Sequence, residues 1–426
     1  MATQRIEPRA TLLGELRVPG DKSISHRSLL LAALTEGAST IIGLSQGEDV
    51  HRTRSLIQAL GATVTMFADG VEIEGGRTRL HASATPLDCG NSGTTMRLAA
   101  GVLAGIEGHH ELIGDPSLSR RPMDRVARPL RAMGAAVKGH GERELPPVVI
   151  DGRPLRGIRY ELPVPSAQVK SALLLAGLHA EGSTTILEAV ATRPNTEEML
   201  QRAGATISVT RTGATSEITL EPSSLTPQSW EVPGDPSQAA FFVVAGIVAS
   251  EGDVTVGGLY GDATRTGFLD VLVRMGASLE RATGRDGTLR VTARSSRLRA
   301  TTIEATEIPS LDEVPILVVA ACAASGTTVF HSMDELRIKE SDRFEASLAL
   351  ARGLGATAFG DGDDLVIEGL GTARAFGELT MDAAGDHRVA MAASVAGAAG
   401  AGATVTDFDC VATSYPGYLE ALAALA

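Results

Sequence analysis

One pattern recurs along this chain and constrains its fold more than any motif: an apolar helix, a glycine, then a short β-branched strand. It reads "LLLAALTEGASTIIG", "LAAGVLAGIEGHHELIG", "ALLLAGLHAEGSTTILE", "FFVVAGIVASEGDVTVGG", "LVVAACAASGTTVFHS" and "MAASVAGAAGAGATVTDF". The marking glycines, Gly37, Gly108, Gly182, Gly252, Gly326 and Gly402, lie 70 to 76 residues apart, so six units nearly exhaust the 426 residues. Periodicity on this scale signals supersecondary units that cannot bury their apolar faces alone. Second helices close on "LGATV" at 60, "MGAAV" at 133, "AGATI" at 203, "MGASL" at 275 and "LGATA" at 354. A glycine there suits the left-handed residue that ends a helix. The sixth unit stops at "PGYLEALAALA" without a closing strand, while the chain opens on strand-like "RIEPRATLLGELRVPG". The N-terminal segment is therefore expected to complete the sixth unit.

The phrases "RVPGDKS" at 17 and "EVPGDPS" at 231 are nearly identical and three units apart. A chain this long exceeds what one core organises. Together these predict two α/β domains of three units each, residues 20–232 and residues 1–19 plus 233–426, with the chain crossing at both Val-Pro-Gly-Asp turns.

A net charge of −13 argues against nucleic-acid and anionic-membrane partners, which reward a basic face. The longest aliphatic run, "FFVVAGIVA", is too short to span a bilayer, and the N-terminus has no apolar leader. Cys89, Cys322 and Cys410, an odd number without a CxxC pair, suit a reducing compartment. A cytoplasmic monomer is the expectation.

The residues before each first helix are "GDKSISHR", "CGNSGTTMR", "VPSAQVKS", "GDPSQAA", "PSLDEVP" and "AGDHRVAM"; second helices follow "LSRRPMDR", "TRPNTEEM", "GDATRTG" and "LRIKESDR". Capping explains the Ser, Asp, Asn and Thr. It does not explain cations, which oppose the positive end of the helix dipole. Lys22, Arg27, Arg97, Arg121, Arg193, Lys339, Arg343 and Arg388 all sit at such starts, and free N–H groups, dipole and cation together make an anion site. The economical arrangement aims these helix starts into one cleft holding strongly anionic substrates. Asp312 and Glu313 precede an apolar helix, and "KESDR" packs Lys339, Glu340, Asp342 and Arg343 together; these carboxylates are either caps and solvated ion pairs or acid–base groups. No GxxxxGK[ST], HExxH or GxSxG occurs, and His26, His51, His109, His110 and His387 lack ligand spacing. "DGDDLVI" at 361 reads as a hairpin turn rather than a metal loop.

The motifs "PGDKSISHRSLLLAAL", "GNSGTTMR", "RRPMDRV", "SAQVKSALLLAG", "LDE", "LRIKESDR" and "DHRVAM", in this order over nearly the whole chain, resemble the 5-enolpyruvylshikimate-3-phosphate synthase family. The resemblance implies two similar domains of three βαβαββ-type units, each an inside-out α/β barrel, joined by two crossover strands. It implies transfer of the enolpyruvyl group of phosphoenolpyruvate to the 5-hydroxyl of shikimate 3-phosphate, with release of phosphate and with neither cofactor nor metal. It assigns Lys22, Ser23, Arg27, Ser166, Gln168, Arg193, Asp312 and Lys339 to shikimate 3-phosphate, and Lys22, Asn91, Gly93, Thr94, Arg121, Gln168, Arg343 and Arg388 to phosphoenolpyruvate. Lys22, Asp312 and Glu340 would be catalytic. Several cations are needed because like charges roughly 5 Å apart, at an effective dielectric of about 20, repel by about 3 kcal/mol.

The chain departs from the pattern of the family in four places. Ala167 follows Ser166 where a second serine is common, Asn195 stands where one subgroup has tyrosine, Leu98 replaces a frequent proline, and Thr413 lies where a lysine is often found. Gly93 would leave room for glyphosate, so sensitivity is expected, though Leu98 could alter that loop. Two rival readings are the sister transferase acting on UDP-N-acetylglucosamine and a non-catalytic repeat scaffold. The first is disfavoured because "GDPSLSRRP" lacks the reactive cysteine of that family.

Overall fold

A computed structural model describes residues 2–425 of the chain, a mixed α/β fold. Its contacts separate two compact bodies, Lys22–Val232 and the residues from Pro233 onward joined by those up to Asp21. The first boundary falls two residues later than expected. Asp21 stays with the second body because its N–H donates to the Pro233 carbonyl at 2.7 Å and its carboxylate pairs with Arg265.

In the body Lys22–Val232 three four-stranded sheets share one pattern. Strand Leu87–Asp88 runs parallel to Gly108–Ile113, which pairs antiparallel with Leu145–Gly152, itself antiparallel to Ala136–His140. Arg159–Glu161, Thr184–Glu188, Thr215–Leu220 and Ile207–Thr212 repeat this order. The third sheet is closed by the end of the body, since Ser229–Glu231 runs parallel to Gly37–Ile42. Helices Lys22–Leu34, Gly93–Ala104 and Ala167–Gly177 lie inside, and the middle one packs on both others. Gly101 allows that approach: a methyl group there would meet the Ala172 carbonyl oxygen at 2.1 Å.

The second body repeats the order with Thr11–Leu16 parallel to Glu251–Leu259, and with Thr302–Glu304 parallel to Ser325–His331. Its third sheet takes a strand from the N-terminus: Gln4–Ile6 pairs antiparallel with Ala403–Thr406, on whose other side Leu379–Asp382 runs parallel. Helices Pro236–Val248, Val314–Ala323 and His387–Ala399 pack on one another, with every residue buried. Helices that are apolar all round beyond their first turns can only be interior.

Second helices end where the glycines predict. Gly61, Gly134, Gly204, Gly276 and Gly355 all have φ between 88° and 109°, a region that costs other residues a steric penalty. Asp361 and Asp364 face each other across the tight turn of an antiparallel hairpin, as read from "DGDDLVI". The two Pro-Gly turns meet: Gly20 and Gly234 form an antiparallel bridge, and Asp235 N–H donates to the Pro19 carbonyl at 3.0 Å.

Candidate active site

In the body Lys22–Val232 the polar side chains gather at helix starts. Lys22 begins helix Lys22–Leu34, and its Nζ donates to Asp49 Oδ2 at 2.9 Å. Ser23 Oγ accepts from Arg193 Nη1 at 3.1 Å. One turn on, buried Arg27 donates from Nε to Thr196 Oγ1 and from Nη2 to Ser171 Oγ, each at 2.7 Å, and from Nη1 to the Ser23 carbonyl at 2.8 Å. Lys22, Ser23, Arg27 and Arg193 thus form one cationic cluster. Between them His26 turns inward, with Nδ1 2.7 Å from Thr53 Oγ1; burial, then Lys22 and Arg27, hold its pKa well below 6.5.

A second cluster surrounds the start of helix Gly93–Ala104. Gln168, at the start of helix Ala167–Gly177, donates to Thr94 Oγ1 at 2.9 Å and accepts from Arg97 Nη1 at 2.8 Å. Arg121 Nη2 donates to Asn91 Oδ1 at 2.6 Å, and Asn91 Nδ2 to Asp115 at 2.8 Å. Gly93 makes the convergence possible, since a methyl group there would lie 2.8 Å from Arg97 Nη1 and 3.4 Å from Arg121 Nη1. Two guanidinium groups beside a helix N-terminus form an anion site by dipole and by charge. Ser166 caps helix Ala167–Gly177 by accepting from Val169 N–H at 3.3 Å.

The second body holds a denser arrangement. Arg343, 1% exposed, donates from Nε and Nη2 to the two oxygens of Asp386 at 2.8 and 3.2 Å and from Nη1 to Asp312 at 3.0 Å; Nη2 also lies 2.7 Å from Glu340. Burial alone would lower its pKa, but Asp386, Glu340 and Asp312 raise it. Asp386 caps helix His387–Ala399 through the Arg388 N–H at 2.9 Å. Arg388 Nη2 stands 3.6 Å from Asp312, while its Nε and Nη1 are buried with no hydrogen-bond partner among the described residues. Leaving such donors unmet is costly, and anionic oxygens would satisfy them. Lys339 Nζ donates to the Ser310 carbonyl at 3.3 Å.

Lys22, Arg343 and Arg388 are each met by carboxylates of the protein itself, since a charge taken out of water needs a partner. Arg343, which the family resemblance assigns to phosphoenolpyruvate, also contacts Asp312 and Glu340. Sequence reasoning also passed over Lys170, Arg265 and the grip of Asp386 on Arg343, all deeply buried. A lysine inside the apolar run "VKSALLLAG" was the available signal, since a fully buried lysine is rarely tolerated without a partner. Of the departures from the family pattern, Leu98 is fully buried, Asn195 is buried at a helix start, and Thr413 ends the 3-10 helix Phe408–Thr413.

The family model described as EPSP synthase (3-phosphoshikimate 1-carboxyvinyltransferase) matches residues 6–422. The 3-phosphoshikimate 1-carboxyvinyltransferase of Gloeobacter violaceus is 46% identical over 430 residues, covering 98% of each chain. The one from Geobacter sulfurreducens is 41% identical over 429 residues, covering 99% of each. The solved EPSP synthase of Acinetobacter baumannii superposes with a TM-score of 0.86 at 37% identity, covering 99% of this chain and 98% of that one. The enolpyruvyl transferase NikO from Streptomyces tendae has a TM-score of 0.77 at 18% identity, covering 99% of this chain and 96% of that one, a likeness of fold.

Proposed function

The chain belongs to the EPSP synthase family, the 3-phosphoshikimate 1-carboxyvinyltransferases, and from that premise we propose how its side chains carry the reaction. The 5-hydroxyl of shikimate 3-phosphate adds to C2 of phosphoenolpyruvate while a proton is delivered to the C3 methylene. The resulting tetrahedral adduct then expels phosphate and returns a proton from C3, leaving the enol ether. Acid–base groups are needed on both sides of C2.

In the body Lys22–Val232, Lys22, Ser23, Arg27, Ser166, Gln168 and Arg193 serve shikimate 3-phosphate, while Lys22, Asn91, Gly93, Thr94, Arg121 and Gln168 serve phosphoenolpyruvate. The convergence of Arg97 and Arg121 around Gly93 supports the second assignment and adds Arg97 to it. In the other body Asp312 takes the hydroxyl proton, Glu340 exchanges the proton at C3, Lys339 meets shikimate 3-phosphate, and Arg388 meets phosphoenolpyruvate. The unsatisfied Nε and Nη1 of buried Arg388 are the observation that carries this half. Arg343 keeps Asp312 and Glu340 oriented through its 3.0 and 2.7 Å contacts, so its loss would impair both proton transfers. Lys22 relays a proton and meets the departing phosphate. Each body would form an inside-out α/β barrel. The enzyme works without cofactor or metal as a cytoplasmic monomer, and its buried free thiols Cys89 and Cys322 suit that reducing compartment.

Incubation of the purified protein with both substrates should release phosphate and form the enol ether, with no turnover of UDP-N-acetylglucosamine. Lys22→Met should abolish release while leaving the fold intact. Full activity in that variant would remove Lys22 from the mechanism, and turnover of the nucleotide sugar alone would replace the substrate assignment.

A further inference from the structure

Lys170 lies inside helix Ala167–Gly177 with its side chain 1% exposed. Its ammonium is 3.0 Å from Glu188 Oε2 and 2.6 Å from Glu197 Oε1, and it donates to the Thr192 carbonyl at 3.4 Å. These partners bracket one segment. Glu188 ends strand Thr184–Glu188, Glu197 lies in the first turn of helix Asn195–Arg202, and the loop between carries Thr192 and Arg193. Glu188 is fixed in turn by the hydroxyls of Thr192, at 2.5 Å, and Ser216, at 2.9 Å.

A lysine is an expensive core residue unless its charge is compensated, and a hydrophobic side chain of similar size would fill the space at no electrostatic cost. What the lysine adds is location, because it joins both ends of the loop to a rigid helix. That loop presents Arg193 to Ser23 at 3.1 Å, and the helix after it presents Thr196 to Arg27 at 2.7 Å. Ser171, the next residue after Lys170, ties the same parts together, with its Oγ 2.6 Å from Thr196 Oγ1 and 2.7 Å from Arg27 Nη2. Helix Ala167–Gly177 also begins with Gln168 and is capped by Ser166.

We propose that Lys170 is a positioning residue for shikimate 3-phosphate: by clamping Glu188 and Glu197 it sets Arg193 and Arg27 against the helix start that carries Ser166 and Gln168. This rests on the assignment of Arg193 and Arg27 to that substrate. Lys170 is fully buried, so it acts through these partners and not on the substrate itself.

The test compares steady-state constants for the full chain carrying Lys170→Met, Lys170→Arg, Glu197→Gln and Arg193→Ala. Lys170→Met should raise KM for shikimate 3-phosphate by about tenfold or more while moving KM for phosphoenolpyruvate by less than about twofold, since only one set of cations loses its support. Lys170→Arg should recover part of that loss. If Lys170→Met does not fold, Glu197→Gln decides the matter, with the same selective rise expected at smaller size. Should Arg193→Ala leave KM for shikimate 3-phosphate unchanged, the substrate assignment itself fails. Should Arg193→Ala raise it while the folded Lys170 or Glu197 variants leave it unchanged, or move both KM values alike, the positioning role is overturned and Lys170 only holds the core.

Discussion

Arg265 Nη1 lies 3.0 Å from Asp21 Oδ2, and neither side chain is more than 2% exposed. Nη2 of the same guanidinium donates to Asp235 at 2.8 Å, so one arginine holds the aspartates of both Val-Pro-Gly-Asp turns. Burial opposes its charge, but Asp21 and Asp235 outweigh that and raise its pKa. The network continues through Ser237, which accepts from Nη2 at 3.0 Å and donates to Glu313, the neighbour of Asp312. Replacing Arg265 with Met should take the shared guanidinium away from two buried carboxylates and cost about 3–5 kcal/mol of stability. Urea denaturation of the variant would measure this, and a loss under about 1 kcal/mol would mean the aspartates find other partners.

Asp312 stands 3.0 Å from Arg343 and 3.6 Å from Arg388. Asp312→Asn keeps the shape and removes both the charge and the proposed proton acceptor. It should lower kcat by about 10²–10⁴, with a much smaller effect on KM for phosphoenolpyruvate. Rapid-quench detection of the tetrahedral adduct would locate the block, because a variant unable to take the hydroxyl proton should not accumulate it.

Local chemistry was legible where one residue type has one physical reason to be present. Gly61 and Gly134 announced helix ends because only glycine enters that region freely, and Lys22, Arg27 and Arg121 stood out as cations where a helix dipole disfavours them. Partners were not legible, because they are set by tertiary packing. Nothing near Lys170 in the chain points to Glu188 and Glu197, which lie 18 and 27 residues further on. Nor does the phrase "SWE" announce that Ser229–Glu231 lies beside Gly37–Ile42, since a short strand carries no record of its neighbour.

Gly93→Ala places a methyl group 2.8 Å from Arg97 Nη1, closer than van der Waals contact permits. The guanidinium must move, and its 2.8 Å bond to Gln168 stretches or breaks. The expected result is a rise of about tenfold in KM for phosphoenolpyruvate, with KM for shikimate 3-phosphate little changed. Steady-state titration of each substrate distinguishes this from a general loss of folding, which would move no KM selectively.

Buried His26 and half-buried His179 should make the fold sensitive to mild acid. His179 is held at a pKa of about 4 by desolvation and then by Arg77, and His26 well below 6.5 by desolvation and then by Lys22 and Arg27. Both folded values lie below the unfolded one, so the two states bind equally few protons at these sites only well above pH 7. As pH falls through 6.5 the unfolded chain takes up protons that the folded chain refuses, and stability declines until the folded groups also titrate. His179 then contributes a slope of up to about 1.4 kcal/mol per pH unit between pH 6.5 and about 4, and His26 acts in the same direction. His179→Gln should be less stable than the parent at pH 7 if packing suffers, yet show a shallower decline across that window. Urea midpoints at half-unit pH intervals would read this directly, and parallel curves for parent and variant would mean that His179 is solvated and titrates near its ordinary value.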